Sequence, residues 1–207
     1  MPSAIVHLKA AFDMKESLGV KNIGQFYMGA VSPDAVNIDG FADQSVRYPA
    51  HLRSLDYEEW KATARAFCKD NKARYAEAED FLKGFLLHIF TDIYWDELAQ
   101  PILFARLREK GAKPEELRDL KWKELYRFNY YLQGGWLYDE VLPAISKTEP
   151  IAIGTVTEEL LGRYLNHLTG EYMKERAIAE PPEICSTEMI TQVEEACLKE
   201  FKELDLY

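Results

Sequence analysis

The sequence predicts an all-α protein, a multi-helix bundle around a central buried helix that carries metal ligands. Three observations predict it. Apolar residues recur at helical spacing through most of the 207 residues, while strand signals are scarce. Capping and breaking residues such as Asp56, Pro101, Gly111 and Pro114 divide the chain into helix-length pieces. The segment FLKGFLLHIFTDIYWDE, residues 81–97, is apolar nearly all round yet holds a histidine and an aspartate one turn apart.

Taken in order, residues 3–17 carry apolar side chains at helical spacing, and 22–31 (NIGQFYMGAV) form a short helix that breaks before Ser32-Pro33-Asp34. The break is expected because proline disfavours the helical conformation at the residue before it. Residues 35–55, with Gly40 and Pro49 and no clear period, read as a long loop. Asp56 caps a helix through about Lys72, with Glu58 and Glu59 in its first turn opposing the helix dipole. The next helix runs from about Tyr75 to Trp95 or beyond, is kinked or restarted at Pro101, and ends near Gly111. Pro114-Glu115-Glu116 opens another, rich in aromatics from Trp122 to Tyr138 and interrupted at Gly134-Gly135. The aromatic residues read as filling between helices. Two more helices, 155–176 and 186–204, are joined across Pro181-Pro182. The length suits one domain over residues 1–207, with 1–97 as the metal-site core and 112–207 as additional packing helices.

Composition narrows the function classes. Apolar residues make up 47% and charged residues 29%, as in a globular chain. A net charge of −10 argues against duplex nucleic acid as a partner, but not against a small phosphate-containing substrate beside a cation. Cys68, Cys185 and Cys197 form neither a disulfide framework nor a metal knuckle and read as free thiols. No secretory leader is evident and no segment approaches the roughly 18 apolar residues of a membrane span, so a cytoplasmic location is expected. Phosphate-loop glycine motifs and the nucleophile elbow are also absent.

The chemistry concentrates on one helix. Phe81, Phe85, His88, Asp92 and Trp95 share a stripe, and Leu82, Leu86, Ile89, Phe90 and Ile93 cover the opposite side. Asp92 therefore lies inside the core, where an uncompensated carboxylate costs several kcal/mol. A hydrogen bond to His88 would be the simplest compensation. The alternative is a metal ion, for which an imidazole one turn away is a suitable second ligand. The chain has only four histidines. His7 ends an apolar run on the first helix, His51 follows Pro49, and Asp34 follows Ser32-Pro33, so three further ligand types come from separate elements. Zinc or another divalent transition metal accepts this mixed nitrogen and oxygen set.

His7-Leu8, FYMGAVSPDAV (26–36), His51-Leu52 and FLKGFLLHIFTDIYWDE together resemble the zinc-dependent phospholipase C family, whose fold is shared with single-strand-specific zinc nucleases. The resemblance covers residues 1–97. It implies that His51, His88 and Asp92 bind one metal, that Asp92 bridges to a second to which His7 contributes, and that Asp34 is the catalytic group that positions or deprotonates the attacking water. It implies a metal-dependent hydrolase acting on a phosphodiester or phosphomonoester. The family's secreted members hold a third zinc through further histidines and a glutamate, and use a processed N-terminal amine as a ligand. Here no histidine lies between His88 and His167 and the chain begins at Met1, so one or two ions are expected. His167 and Glu171 form an HxxxE pair that reads as an ordinary helix pair and stays outside the ligand set. Two other readings remain open. A His–Asp-type nucleotide phosphohydrolase would need an adjacent His-Asp, and no histidine here is followed by aspartate. A non-catalytic metal-binding scaffold would need a site saturated by protein ligands.

Overall fold

The computed structural model describes residues 2–172, 178–204 and 206. Among the described residues the chain is all-α, with ten α-helices: α1 (Ala4–Met14), α2 (Ile23–Gly29), α3 (Gln44–Ala50), α4 (Tyr57–Asn71), α5 (Glu79–Tyr94), α6 (Gln100–Glu109), α7 (Leu117–Leu132), α8 (Leu142–Ser146), α9 (Glu158–His167) and α10 (Thr187–Glu203). Tight 3-10 turns occupy Ser32–Asn37 and Ala76–Ala78, and wider π turns occupy Trp95–Ala99, Trp136–Val141 and Leu168–Tyr172. The extended pairing recorded among these residues is an isolated bridge between Ile153 and Val156.

Local chemistry starts these helices. The side chain of Asn22 accepts from the Gln25 amide at 3.1 Å, Asp56 from Glu59 at 2.9 Å and Thr157 from Leu160 at 3.2 Å. Each satisfies an amide that the first helical turn leaves without a partner. α5 is the central element, as its all-round apolar surface requires: every residue from Asp80 to Ile93 is buried. It packs against α1, α2, α4 and α10, most extensively against α2. Phe81, Leu82, Phe85, Leu86, Leu87, Ile89, Phe90 and Ile93 lie on it, and each such side chain contributes about 1.5–3 kcal/mol before the cost of ordering. The two polar residues in its first turns are partnered. Asp80 accepts from the amides of Lys21 (2.9 Å) and Asn22 (2.6 Å), and Lys83 pairs with Glu79 at 3.0 Å.

The α2–α5 crossing is as close as two backbones allow. A Cβ on Gly84 would lie 2.0 Å from the carbonyl oxygen of Phe26, and one on Gly29 would lie 2.2 Å from that of Phe81. Only residues without a side chain permit this approach.

Three expectations change. Residues 35–55 are not a long loop: the 3-10 turn over Ser32–Asn37 runs into that stretch and helix α3 lies within it. α3 begins at Asp43, whose side chain accepts from the Ser45 amide, and buries only Ala50, so it leaves no hydrophobic period in the sequence. Pro114 sits in a turn three residues before α7 begins at Leu117. The aromatic stretch 122–138 fills the core only in part, since Phe128 is buried while Tyr130, Tyr131 and Tyr138 are exposed. The restart near Pro101 takes the form of the π turn, which carries the α5 axis into α6. The three cysteines are free and buried. Among the described residues no helix is long and apolar enough to cross a membrane.

Candidate metal centre

Four elements converge on one side of α5. His7 comes from the middle of α1, Asp34 from the 3-10 turn after α2, His51 from the C-cap of α3, and His88 and Asp92 from α5 itself. His7, His51, His88 and Asp92 are at most 1% exposed. The Asp34 side chain is 16% exposed and is therefore the one on the solvent side. Two surface clefts, of about 540 and 710 Å³, lie elsewhere and include none of these five residues.

Two imidazoles are oriented by backbone carbonyls. His88 Nδ1 lies 2.8 Å from the oxygen of Ala30, and His51 Nδ1 lies 2.9 Å from that of Arg47. A carbonyl only accepts, so each Nδ1 carries the proton and donates it; in the neutral ring Nε2 is then a bare lone pair. The close α2–α5 crossing places Ala30, the C-cap of α2, over His88. α3 ends in a Schellman turn: the Arg53 amide donates to Tyr48 at 2.9 Å and the Leu52 amide to Pro49 at 3.2 Å. Leu52 occupies the left-handed position of that turn with φ of 49°, a conformation that costs a non-glycine residue about 1–2 kcal/mol. The indole of Trp60, fully buried on α4, donates to the His51 carbonyl at 2.9 Å and fixes the turn from below.

The freed Nε2 atoms point at carboxylates. Asp92 Oδ1 lies 3.5 Å from His7 Nε2, and its Oδ2 lies 3.7 Å from His88 Nε2 and 3.9 Å from His51 Nε2. Asp34 Oδ1 lies 3.4 Å from His51 Nε2. His7 stacks on His88 with ring centroids 3.7 Å apart and planes 9° from parallel. Both nitrogens of His7, Nε2 of His88 and both oxygens of Asp92 are buried without a hydrogen-bond partner. Two groups of three result, His7–His88–Asp92 and Asp34–His51–His88, each with ligand atoms within 4.8 Å of one another.

The electrostatics match. Burial, helped by the adjacent His7 ring, pushes the His88 imidazole down to about 3, which keeps it neutral. Burial alone would raise both carboxyl groups. For Asp92 the adjacent His7 ring, placed to donate, outweighs burial and holds it below the usual carboxylate range. For Asp34 the contact with His51 does the same. The centre thus gathers two carboxylates and the Nε2 lone pairs of His51 and His88, with the His7 ring, which keeps one N–H, stacked among them. Buried acceptors in that arrangement are uncompensated unless a cation sits among them. The donor set suits a divalent metal.

All five residues nominated from the sequence meet here. His167 belongs to neither group, and the side chain of its proposed partner Glu171 lies outside the described residues. The sequence reading missed Trp60, the Ala30 carbonyl and Arg47. Arg47 stands one turn before His51, a spacing that becomes informative only once α3 is known to be a helix. Comparison with family models, with curated proteins and with solved structures gives no match for this chain.

Proposed function

We propose that the chain is a metal-dependent phosphoesterase, a hydrolase of the zinc-dependent phospholipase C type. The observation that carries the reading is the convergence of His7, Asp34, His51, His88 and Asp92 in one cluster, where the buried nitrogens of His7, Nε2 of His88 and both oxygens of Asp92 have no hydrogen-bond partner. Their order along the chain resembles that family's ligand order. Asp92 offers one oxygen to the His7 side and the other to His51 and His88, which suits it to join two ions. His51 and His88 would hold the first ion with Asp34, and His7 the second.

A divalent ion in this position supplies positive charge against a phosphoryl group and makes a nearby water more acidic. The rest of the work falls to the protein. Asp34, at the solvent-facing edge and ionised at neutral pH, orients the attacking water and accepts its proton. The Ala30 and Arg47 carbonyls fix the His88 and His51 rings, so their Nε2 atoms need no reorganisation. The apolar walls of α5 keep bulk water from the inner ligands and strengthen each charge interaction.

The closure of the site favours a second reading. Four of the five candidate ligands are essentially inaccessible, as a structural metal site would require. One experiment separates the readings. The purified protein is analysed for bound metal, reconstituted with zinc, and assayed on phosphodiesters and phosphomonoesters with and without chelator. Metal binding with chelator-sensitive hydrolysis, lost in His88→Ala and in Asp34→Asn, is the expected result. Metal binding without turnover leaves the structural role, and a failure to take up metal refutes both.

A further inference from the structure

We infer that Arg47 is the anion-binding residue of this site, its guanidinium gripping a phosphoryl oxygen on the open side of the cluster. The inference rests on the metal-centre reading above and adds to it the means by which the protein selects an anionic ester over a neutral one.

Arg47 is placed for this by α3. Its own carbonyl takes the His51 Nδ1 proton, so the residue that aims one ligand also projects its side chain from the same helix end. The side chain is half-buried. Its guanidinium centre sits 4.0 Å from the centroid of Phe41 and 5.9 Å from that of Tyr48. Stacking of this kind holds the planar group in one orientation.

Arg47 is also a cation without a counter-ion. Its Nε is buried with no acceptor, and among the described residues no ion pair involves it. A neighbouring cation differs: Arg53 pairs with Asp96 at 2.9 Å. The Arg47 charge interacts with Asp34 and Asp92 without pairing with either, and is repelled by Arg53. In a chain of net charge −10, acidic partners are plentiful, yet among the described residues this guanidinium has no ion pair and its Nε is buried without an acceptor.

The chemistry of the missing partner follows. A guanidinium presents Nε–H and Nη–H along one edge, a fork that matches two oxygens of a tetrahedral oxyanion. Asp34 marks the solvent side of the cluster, so an anion held there would face Arg47 and the ion together. A neutral carboxylic ester or an amide would leave the fork unsatisfied.

The test uses zinc-reconstituted full-length protein in phosphate- and sulfate-free buffer, titrated calorimetrically with inorganic phosphate, with bound zinc measured in parallel. Wild type is expected to bind phosphate. Arg47→Met should weaken that binding by roughly tenfold or more, as loss of a charge-assisted bidentate contact implies, with zinc content unchanged. Arg47→Lys keeps the charge but loses the fork, and is expected to lie between the two. The His51 contact is to the Arg47 backbone, so neither variant removes it, and thermal unfolding of both variants checks that the fold is kept. Phosphate binding within twofold of wild type in Arg47→Met overturns the inference and leaves the metal centre standing. A zinc-loaded wild type that binds no phosphate does the same. A wild type that takes up no zinc overturns the metal-centre reading and this inference with it.

Discussion

Replacing Gly84 with alanine tests whether the α2–α5 crossing sets the geometry of the site. The new Cβ would lie 2.0 Å from the Phe26 carbonyl oxygen and 2.9 Å from the Ala30 amide nitrogen, both backbone atoms that no rotamer change can move. An ordinary carbon–oxygen contact is about 3.3 Å, so the helices must part by about 1 Å at this point. The Ala30 carbonyl rides on the end of α2, and its 2.8 Å bond to His88 Nδ1 would stretch to the limit of hydrogen bonding. Overpacking costs about 1–3 kcal/mol and an unsatisfied buried pair another ~1–3 kcal/mol. The better helix propensity of alanine returns about 1 kcal/mol. The net is about 1–5 kcal/mol, measured by urea unfolding of chelated protein. Metal affinity, read by competition with a chromophoric chelator, should fall roughly 10- to 100-fold, the range found when a group orienting a ligand is lost. Gly162→Ala is the control: its Cβ meets only Pro150 Cγ at 3.4 Å, an ordinary contact, so stability should hold or rise. A Gly84→Ala protein within ~0.5 kcal/mol of wild type, with unchanged metal affinity, would refute the reasoning.

Three further outcomes are expected. Asp92→Asn supplies an amide donor among the acceptors, so the chelated variant should be more stable than chelated wild type by ~1–3 kcal/mol while stoichiometric metal uptake is lost; a less stable chelated variant would contradict the acceptor-cluster account. In chelated protein His88 has a folded pKa of about 3 against an ordinary 6.5, so the unfolded chain binds the extra proton and stability falls as pH drops from about 6.5 toward 3. The full loss is on the order of 4–5 kcal/mol, with Asp34 and Asp92 adding to it below their ordinary 3.8; urea midpoints between pH 7 and 4.5 should show a shallower slope in His88→Gln. Trp60→Phe leaves the His51 carbonyl without its donor, and should cost about 2 kcal/mol by urea unfolding and weaken metal binding, because the Schellman turn that carries His51 loses its support.

The central element and the five candidate ligands could be picked out along the chain. An apolar surface on every side of residues 80–93 has no stable place except the core, and a buried His88–Asp92 pair requires a partner wherever the rest of the chain lies. With four histidines in all, the remaining ligands had few possible sources. The helix start at Asp56 was also legible, since a cap acts within three residues; the Thr157 cap was not read, and that helix was placed from 155. Helix α3 was not, because a helix that buries only Ala50 leaves no period to read. The π turn at Trp95–Ala99 is likewise invisible to a pattern that assumes 3.6 residues per turn.

Only the tertiary structure decided what the ligands face. The proton on His88 Nδ1 is assigned by the Ala30 carbonyl, 58 positions away in the chain, and that carbonyl arrives through a crossing which two glycines permit. That no carboxylate among the described residues pairs with Arg47, while Phe41 lies against it, is likewise a matter of packing. Caps and periodicity act over a few residues and can be read along the chain. Tautomers, unpaired charges and the approach of one helix to another are set by distances between distant segments, which packing fixes.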